Sequence, residues 1–153
     1  MAPSFLLAFN LKLMSGFLYS EYVKATSQNI QLSFDIKNYD IHTIVPEYVL
    51  TQLIGILFDN AIEASAYNDI IFLEINSVNN RFIFSISNPW ISITPDFLSD
   101  IFKNGYSTKD KLSENRGIGL YALKKTIDKY HGKIYVSNEI IDSKTYICFK
   151  IEI

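Results

Sequence analysis

The stretch RGIGLYALKK, Arg116 to Lys125, decides how the chain is interpreted, because two glycines stand one residue apart where a helix is predicted to begin. Ser, Thr, Asp or Asn caps a helix better, so glycines at this place need another reason. Glycine lets the backbone approach a ligand closely, and a helix N-terminus offers free N–H groups and a partial positive charge to an anion. Gly117 and Gly119 therefore indicate either a phosphate site or only a tight turn, and this stretch alone leaves both open.

The composition indicates one globular domain without a preference for polyanions. The chain has 153 residues, of which 48% are hydrophobic and 14% aromatic, enough to bury a substantial core. A formal net charge of −2 gives no reason to expect nucleic acid or an anionic membrane as partner. The single cysteine, Cys148, excludes an internal disulfide and a Cys-based metal cluster, and we expect a cytoplasmic location.

An amphipathic helix is predicted at the start of the chain, from about Ser4 to Gln28. The apolar residues with helical spacing are Leu7, Leu11, Met14, Leu18 and Tyr22. This run has no basic leader and is interrupted by Asn10 and Lys12, so it predicts neither a signal peptide nor a membrane span. We expect the helix to pack against another surface, and the chain to be cut from a longer protein.

The remaining pattern alternates between strands and helices. Further helices are predicted from about Pro46 to Ser65, Asp96 to Phe102 and Ile118 to Tyr130, the last ending before Gly132. Strands are predicted near Ile30 to Lys37, Ile70 to Asn76, Arg81 to Ser87, Lys133 to Ser137 and Thr145 to Ile153, with a hairpin turn at Asn79 and Asn80. This order predicts an α+β fold: a two-layer sandwich with a mixed, mostly antiparallel sheet and helices on one face.

Asn60 lies at the edge of an apolar stripe on the second long helix. The stripe consists of Leu50, Leu53, Ile54, Leu57, Ala61 and Ala64. At about 100° per residue, Asn60 stands roughly 60° around the helix from Leu57. An amide at the rim of a core is most often a structural group with its hydrogen bonds satisfied. The functional alternative is a neutral oxygen ligand for Mg²⁺, which prefers a few hard oxygens together with phosphates and waters.

Four motifs, taken in order, resemble those of the Bergerat-fold ATPases, the group of gyrase, Hsp90, MutL and histidine kinases. LIGILFDNAIEAS (Leu53–Ser65) resembles the N box, and IFKNGYSTK (Ile101–Lys109) resembles the start of the ATP lid. RGIGLYALKK resembles the second glycine box, and HGKIYVSNE (His131–Glu139) resembles the strand that follows it. One such match would be weak, but the ordered set is specific and favours the phosphate interpretation of the two glycines.

Within this group, the motifs are most similar to the peptide-pheromone (Agr- and Com-type) sensor histidine kinases. The resemblance implies the ATP-binding catalytic domain of a two-component kinase, a cytoplasmic part of a membrane protein, with ATP and Mg²⁺ as ligands. It implies that a histidine on a separate dimerisation domain is phosphorylated, and that the phosphoryl group passes to a response regulator. Residues 1–28 would be the end of the dimerisation hairpin or a linker, with a homodimer through this helix, and residues 29–153 the catalytic domain.

The resemblance also assigns individual residues. Asn60 would hold Mg²⁺, and the backbone of Gly117 and Gly119 would meet the phosphates. Lys109 and Arg116 match basic lid positions, although exposed basic residues are equally explained by solvation alone. The full set assigned to the cofactor site is Asn60, Asn88, Lys109, Arg116, Gly117, Ile118, Gly119 and Leu120. Glu63 matches an acidic N-box position to which we assign no role.

The first glycine box departs from the family pattern. Its usual Asp, which accepts a hydrogen bond from the adenine amino group, is replaced by Asn88 in SISNPW, and Pro89 and Trp90 follow where glycine is usual. Pheromone kinases also tend to carry Asn there. Asn115 stands where the second glycine box often begins with Gly, a mild change because Asn tolerates a left-handed backbone. The neutral Asn88 predicts modest ATP affinity and poor discrimination against GTP.

The position of the catalytic base also departs from the pattern. ATP-hydrolysing members carry Glu four residues before the metal-binding Asn, and here that residue is Ile56, which cannot take a proton. An isoleucine at this position suits transfer of the phosphoryl group to a supplied acceptor rather than to water. Alternatively, Ile56 only widens the apolar stripe of the helix. The two histidines, His42 and His131, stand in a loop and at a helix end, where His131 favours a capping role.

Neither histidine suits a phosphoacceptor, so we assign no catalytic residue within the chain and expect it to be inactive alone. Two alternatives remain open. One is a stand-alone regulator of the anti-sigma serine kinase type, and the other is a degenerate nucleotide-binding module that only dimerises.

Overall fold

The computed structural model describes residues 3–90, 94–103 and 118–153. The helices in these ranges are α1 (Lys12–Ser27), α2 (Glu47–Ala64), α3 (Pro95–Asp100) and α4 (Ile118–Lys129), with a 3-10 turn at Ser4–Leu7. The strands are β1 (Gln31–Ile36), β2 (Ile70–Val78), β3 (Arg81–Pro89), β4 (Lys133–Ile141) and β5 (Lys144–Glu152). None of the helices in the described ranges is long and apolar enough to cross a membrane.

The five strands form one mixed sheet in the order β1-β2-β3-β5-β4. β1 and β2 are parallel and are connected through α2, while the other three pairings are antiparallel. The β2–β3 hairpin turns at Asn79 and Asn80, both with positive φ, as the sequence predicts. Asp142 and Ser143 make the same kind of two-residue turn between β4 and β5. Two residues with positive φ match the right-handed twist of the strands they join.

The core lies between this sheet and a layer of helices. Alternate residues of β2, β3 and β5 are buried on one side of the sheet: Ile71, Leu73, Ile75, Phe82, Phe84, Ile86, Ile147, Phe149 and Ile151. α2 packs against β3 and contacts both α1 and α4, and its apolar stripe is buried from Val49 to Ile62. The predicted two-layer α+β sandwich with helices on one face is therefore confirmed.

The predicted first helix is interrupted. The 3-10 turn and α1 are separated at Asn10, whose side chain binds the backbone of Ile41 twice: Nδ2 donates to the carbonyl oxygen at 2.9 Å, and Oδ1 accepts from the N–H at 2.8 Å. The Asn10 N–H also donates to the Tyr39 carbonyl oxygen at 3.2 Å. These bonds to a distant loop replace helical ones. As a result Leu7, predicted in the apolar stripe, is 50% exposed.

Three strands end two or more residues later than the sequence predicts, and the first of them, β2, runs to Val78. β3 continues through Asn88 to Pro89, where it pairs with Tyr146 of β5. β4 continues to Ile141 because its pairing with β5 runs to the turn. The second half of β4 is mostly exposed, so it lacks the alternating burial on which the sequence prediction depends.

Candidate functional site

The candidate site lies where α2 meets the N-terminus of α4. A Cβ atom at residue 119 would stand 3.3 Å from Cγ2 of Ile56, which is closer than an ordinary van der Waals contact. A side chain at residue 119 would therefore crowd α2. The sequence assigned Gly119 to close approach of the backbone, and within the described residues this approach brings the first turn of α4 against Ile56.

The first turn of α4 has the properties of an anion site. The first N–H groups of an α-helix have no acceptor within the helix, and the helix dipole makes this end partly positive. α4 begins at Ile118, so Gly119 and Leu120 contribute backbone N–H groups there, and the turn carries no acidic residue. Leu120 is half-buried against the core. A phosphate bound at this end would meet no opposing charge from the turn itself.

Asn60 lies on the same face of α2 as Ile56, one turn further along. Because Ile56 contacts the first turn of α4, this periodicity places Asn60 on the side of α2 that faces α4. Asn60 is half-buried, while its neighbour Ala61 is buried, so the predicted position at the rim of the core is confirmed. Glu63 is exposed on the same helix.

Asn88 lies within β3 and is only 3% exposed. Strand alternation puts it on the helix-facing side of the sheet, in line with Phe84 and Ile86. Its Nδ2 donates to the carbonyl oxygen of Pro89 at 3.0 Å. This bond uses one of the two N–H groups of the amide, so Oδ1 can accept a hydrogen bond from a ligand and one N–H can still donate.

Trp90 and Phe97 form an aromatic pair beside Asn88. Their ring centroids are 6.0 Å apart with the planes tilted by 33°, and both side chains are half-buried against the core. The sequence interpretation treated Trp90 only as a departure from the glycine box and gave Phe97 no role. The period of two along β3 was a signal for Trp90, because it places residues 88 and 90 on one side of the sheet.

An ionic cluster joins α1 to the turn of α2 that carries Asn60. Lys24 of α1 forms an ion pair with Asp59, and Glu21 lies beside both. Glu21 is buried, and its Oε2 has no hydrogen-bond partner among the described residues. Burial, reinforced by the negative charge of Asp59, raises the pKa of Glu21 to about 7, and Lys24 opposes this shift.

Three predicted site residues lie outside the described residues: Lys109, Arg116 and Gly117. Asn115 of the second glycine box also lies outside them. His42 lies in the loop before α2, exposed, with Nε2 2.9 Å from Oδ2 of Asp40. His131 follows α4 and takes a left-handed conformation with φ 58°, which confirms its place in the helix cap.

Metal ligation in the described ranges would depend on few protein groups. No group of three or more His, Cys, Asp or Glu side chains in these ranges could hold a metal ion. The neutral amide of Asn60 is nevertheless a donor that suits Mg²⁺, because this ion commonly takes one or two protein oxygens and completes its shell with phosphates and waters.

The class of protein follows from a family match that spans most of the chain. Residues 47–153 match the family described as histidine kinase-, DNA gyrase B- and HSP90-like ATPase. The chain belongs to this family. The matched region begins at the first residue of α2 and includes β3, α4 and the whole candidate site.

Within the family, the similar curated proteins include sensor proteins. Sensor protein CitS of Halalkalibacterium halodurans is 30% identical over 92 residues, which cover 58% of this chain and 17% of CitS. Heme sensor protein HssS of Staphylococcus aureus is 26% identical over 136 residues, covering 88% of this chain and 29% of HssS. The chain therefore spans less than a third of the length of these relatives.

The chain is also similar to solved structures of histidine kinases. The catalytic domain of histidine kinase ThkA superposes with a TM-score of 0.71 and 25% identity, covering 89% of this chain and 90% of that catalytic-domain chain. Histidine kinase AdeS of Acinetobacter baumannii, with a TM-score of 0.67 and 21% identity, covers 95% of this chain and 64% of AdeS and shares the fold. The chain is an ATP-binding catalytic domain of the sensor histidine kinase type.

Proposed function

We propose that the chain binds Mg-ATP between α2 and the first turn of α4, and presents it to a histidine outside this chain. The observation that carries the proposal is the contact between Ile56 and Gly119. It brings the anion-binding end of α4 against the face of α2 that carries Asn60.

Each polar group of the site then has a role. The backbone N–H groups of Gly119 and Leu120 bind phosphate oxygens, and Asn60 supplies an oxygen for Mg²⁺. The ion, when bound, neutralises part of the triphosphate charge. Asn88 Oδ1 accepts from the adenine amino group. The remaining assigned residues, Lys109, Arg116, Gly117 and Ile118, are proposed on the family resemblance alone.

Ile56 favours phosphoryl transfer over hydrolysis. Phosphoryl transfer depends on positioning and on charge neutralisation, with little covalent chemistry by the protein. Hydrolysis by the family's mechanism needs a base that orients and deprotonates water. The side chain in that position is apolar and packs toward α4, so it cannot take a proton from a water molecule and excludes water from the space it fills.

The downstream partner and the cellular location of the domain are also part of the proposal. ThkA has been solved in complex with the response regulator protein TrrA, which supports a response regulator as the downstream partner here. Membrane sensors of this kind carry the catalytic domain in the cytoplasm.

The peptide-pheromone signal is proposed on the N-box and glycine-box motifs alone. Residues 1–28 are proposed to continue into the dimerisation hairpin, with Leu13 and Val23 on the outward face of α1 available to a second copy.

Calorimetric titration of Mg-ATP into the chain tests the proposal. We expect binding that depends on Mg²⁺ and that Asn60→Ala weakens by ~1–3 kcal/mol, the cost of losing one polar ligand. Gln52→Ala, an exposed residue on the same helix, is the matched control and should bind like the natural protein. Equal affinity with and without Mg²⁺, or no difference between the two variants, would contradict the role of Asn60.

A further inference from the structure

The backbones that carry Trp90 and Phe97 are both held in place. The Trp90 N–H donates to the Thr145 carbonyl oxygen at 3.0 Å, which continues the β3–β5 pairing one residue beyond Pro89. The Phe97 N–H donates to Oγ1 of Thr94, the N-cap of α3, at 3.1 Å. The Trp90 backbone is thus bonded to the sheet, and the Phe97 backbone is bonded to the N-cap of α3.

The aromatic pair lies within reach of a base bound at Asn88. Trp90 directly follows β3, and its N–H continues the pairing with β5, so the alternation of the strand puts residues 88 and 90 on the same side, about 7 Å apart. A purine base whose edge is hydrogen-bonded to Asn88 is long enough to reach the ring of Trp90 as well. Trp90 is half-buried, so part of its indole stays uncovered while Phe97 packs against it.

We infer that Trp90, supported by Phe97, is the base-stacking residue of the nucleotide site. The inference rests on the proposed ATP binding and adds a residue that the family's glycine-box pattern does not supply. Stacking on an aromatic ring is available to every base, since each has a π-face. Stacking therefore compensates for the charged hydrogen bond that Asn88 cannot make, and it gives affinity with little choice between adenine and guanine.

The chain offers a direct probe, because Trp90 is its only tryptophan. We expect Mg-ATP to quench the tryptophan emission in a saturable way, with the dissociation constant that calorimetry gives. Mg-GTP should also quench, and inorganic tripolyphosphate, which has no base, should leave the emission unchanged. Bound ATP should also protect the indole from quenching by acrylamide.

Substitutions separate stacking from general packing. Trp90→Leu should weaken ATP binding by roughly 5- to 150-fold while leaving tripolyphosphate affinity unchanged. Trp90→Phe keeps a ring and should retain most of the affinity. Phe72→Leu is the matched control: Phe72 forms an aromatic pair with Tyr146, with centroids 5.5 Å apart, on the opposite side of the sheet. This control should bind ATP like the natural protein.

The outcomes distinguish the two proposals. If calorimetry detects no Mg-ATP binding to the natural protein, the proposed function fails and this inference falls with it. If Mg-ATP binds but the emission does not change and Trp90→Leu binds equally well, only the stacking role is wrong. The fluorescence measurement uses the natural protein, so the result does not depend on the stability of any variant.

Discussion

His131 and Gly132 end α4 in a way that their residue types do not suggest. The sequence places Gly132 just past the helix and favours a capping role for His131, and it is His131 that has the positive φ. The Gly132 N–H donates to the Ile127 carbonyl oxygen at 2.9 Å, and the His131 N–H to that of Asp128 at 3.1 Å, which is the Schellman arrangement. Gly132 is needed for space: a Cβ there would stand 2.7 Å from the backbone oxygen of Glu152.

These adjacent positions predict opposite effects of substitution. Gly132→Ala should lower the free energy of unfolding by about 1–3 kcal/mol, because a backbone atom must move to admit the methyl group. His131→Gly should change stability by less than about 1 kcal/mol in either direction, since relief of the left-handed strain offsets the flexibility of glycine. Urea denaturation of the two variants checks this. Equal destabilisation by both would show that the contact with Glu152 is not what requires glycine.

The sequence motifs were sufficient to assign the proposed polar residues of the site, but they did not indicate the aromatic pair. Asn60, Asn88 and Gly119 could be assigned because each stands at a fixed place in a short motif. Trp90 and Phe97 meet through tertiary structure, from the end of a strand and from the following helix. The period of the strand indicated the side of the sheet on which Trp90 lies, but nothing in the local sequence paired Trp90 with Phe97.

Among the elements, α1 shows most clearly what a periodic pattern leaves out. Helical spacing predicted the element, and Met14 and Leu18 are buried as expected. The break at Asn10 and the pairing of Lys24 with Asp59 were not predictable, because each depends on a partner more than thirty residues away. Local spacing reports which face of a helix is apolar, and it carries no information on where a polar side chain finds its partner.

The buried carboxyl of Glu21 predicts a pH dependence of stability. Its pKa is raised from 4.5 to about 7, so the folded state binds the proton more tightly than the unfolded state. This contribution to stability is complete below pH 4.5 and is lost as the pH rises through 7. We expect the free energy of unfolding to fall by about 1–3 kcal/mol between pH 5 and pH 8, and Glu21→Gln to remove most of that fall.

Urea denaturation at the two pH values checks the role of Glu21. Asp59 and Lys24 face this carboxyl, so both remain unchanged in the comparison. Glu139→Gln, at an exposed position on β4, is the control and should keep the dependence of the natural protein. A Glu21→Gln variant with the full loss of stability between pH 5 and pH 8 would contradict the assignment.

Across the whole molecule, the segment before the family match is part of the same core. The match begins at residue 47, yet Leu6, Phe9 and Met14 are fully buried with residues of α2 and the sheet. Glu47, the first residue of α2, accepts a hydrogen bond from the Met14 N–H at 3.0 Å near the start of α1. α1 is thereby fixed to α2 near both ends, at Glu47 and at Asp59, beside the site.

The central claim is that the triphosphate of ATP binds at the first turn of α4, facing α2. Amide hydrogen exchange with and without Mg-ATP tests it most directly, because it reports where protection arises along the chain. The account predicts slower exchange in the first turn of α4 and in α2 from Ile56 to Ala64, with unchanged exchange in β1 at the far edge of the sheet. If saturating Mg-ATP leaves the first turn of α4 exchanging as fast as in the free protein, the nucleotide does not bind there and the account is contradicted.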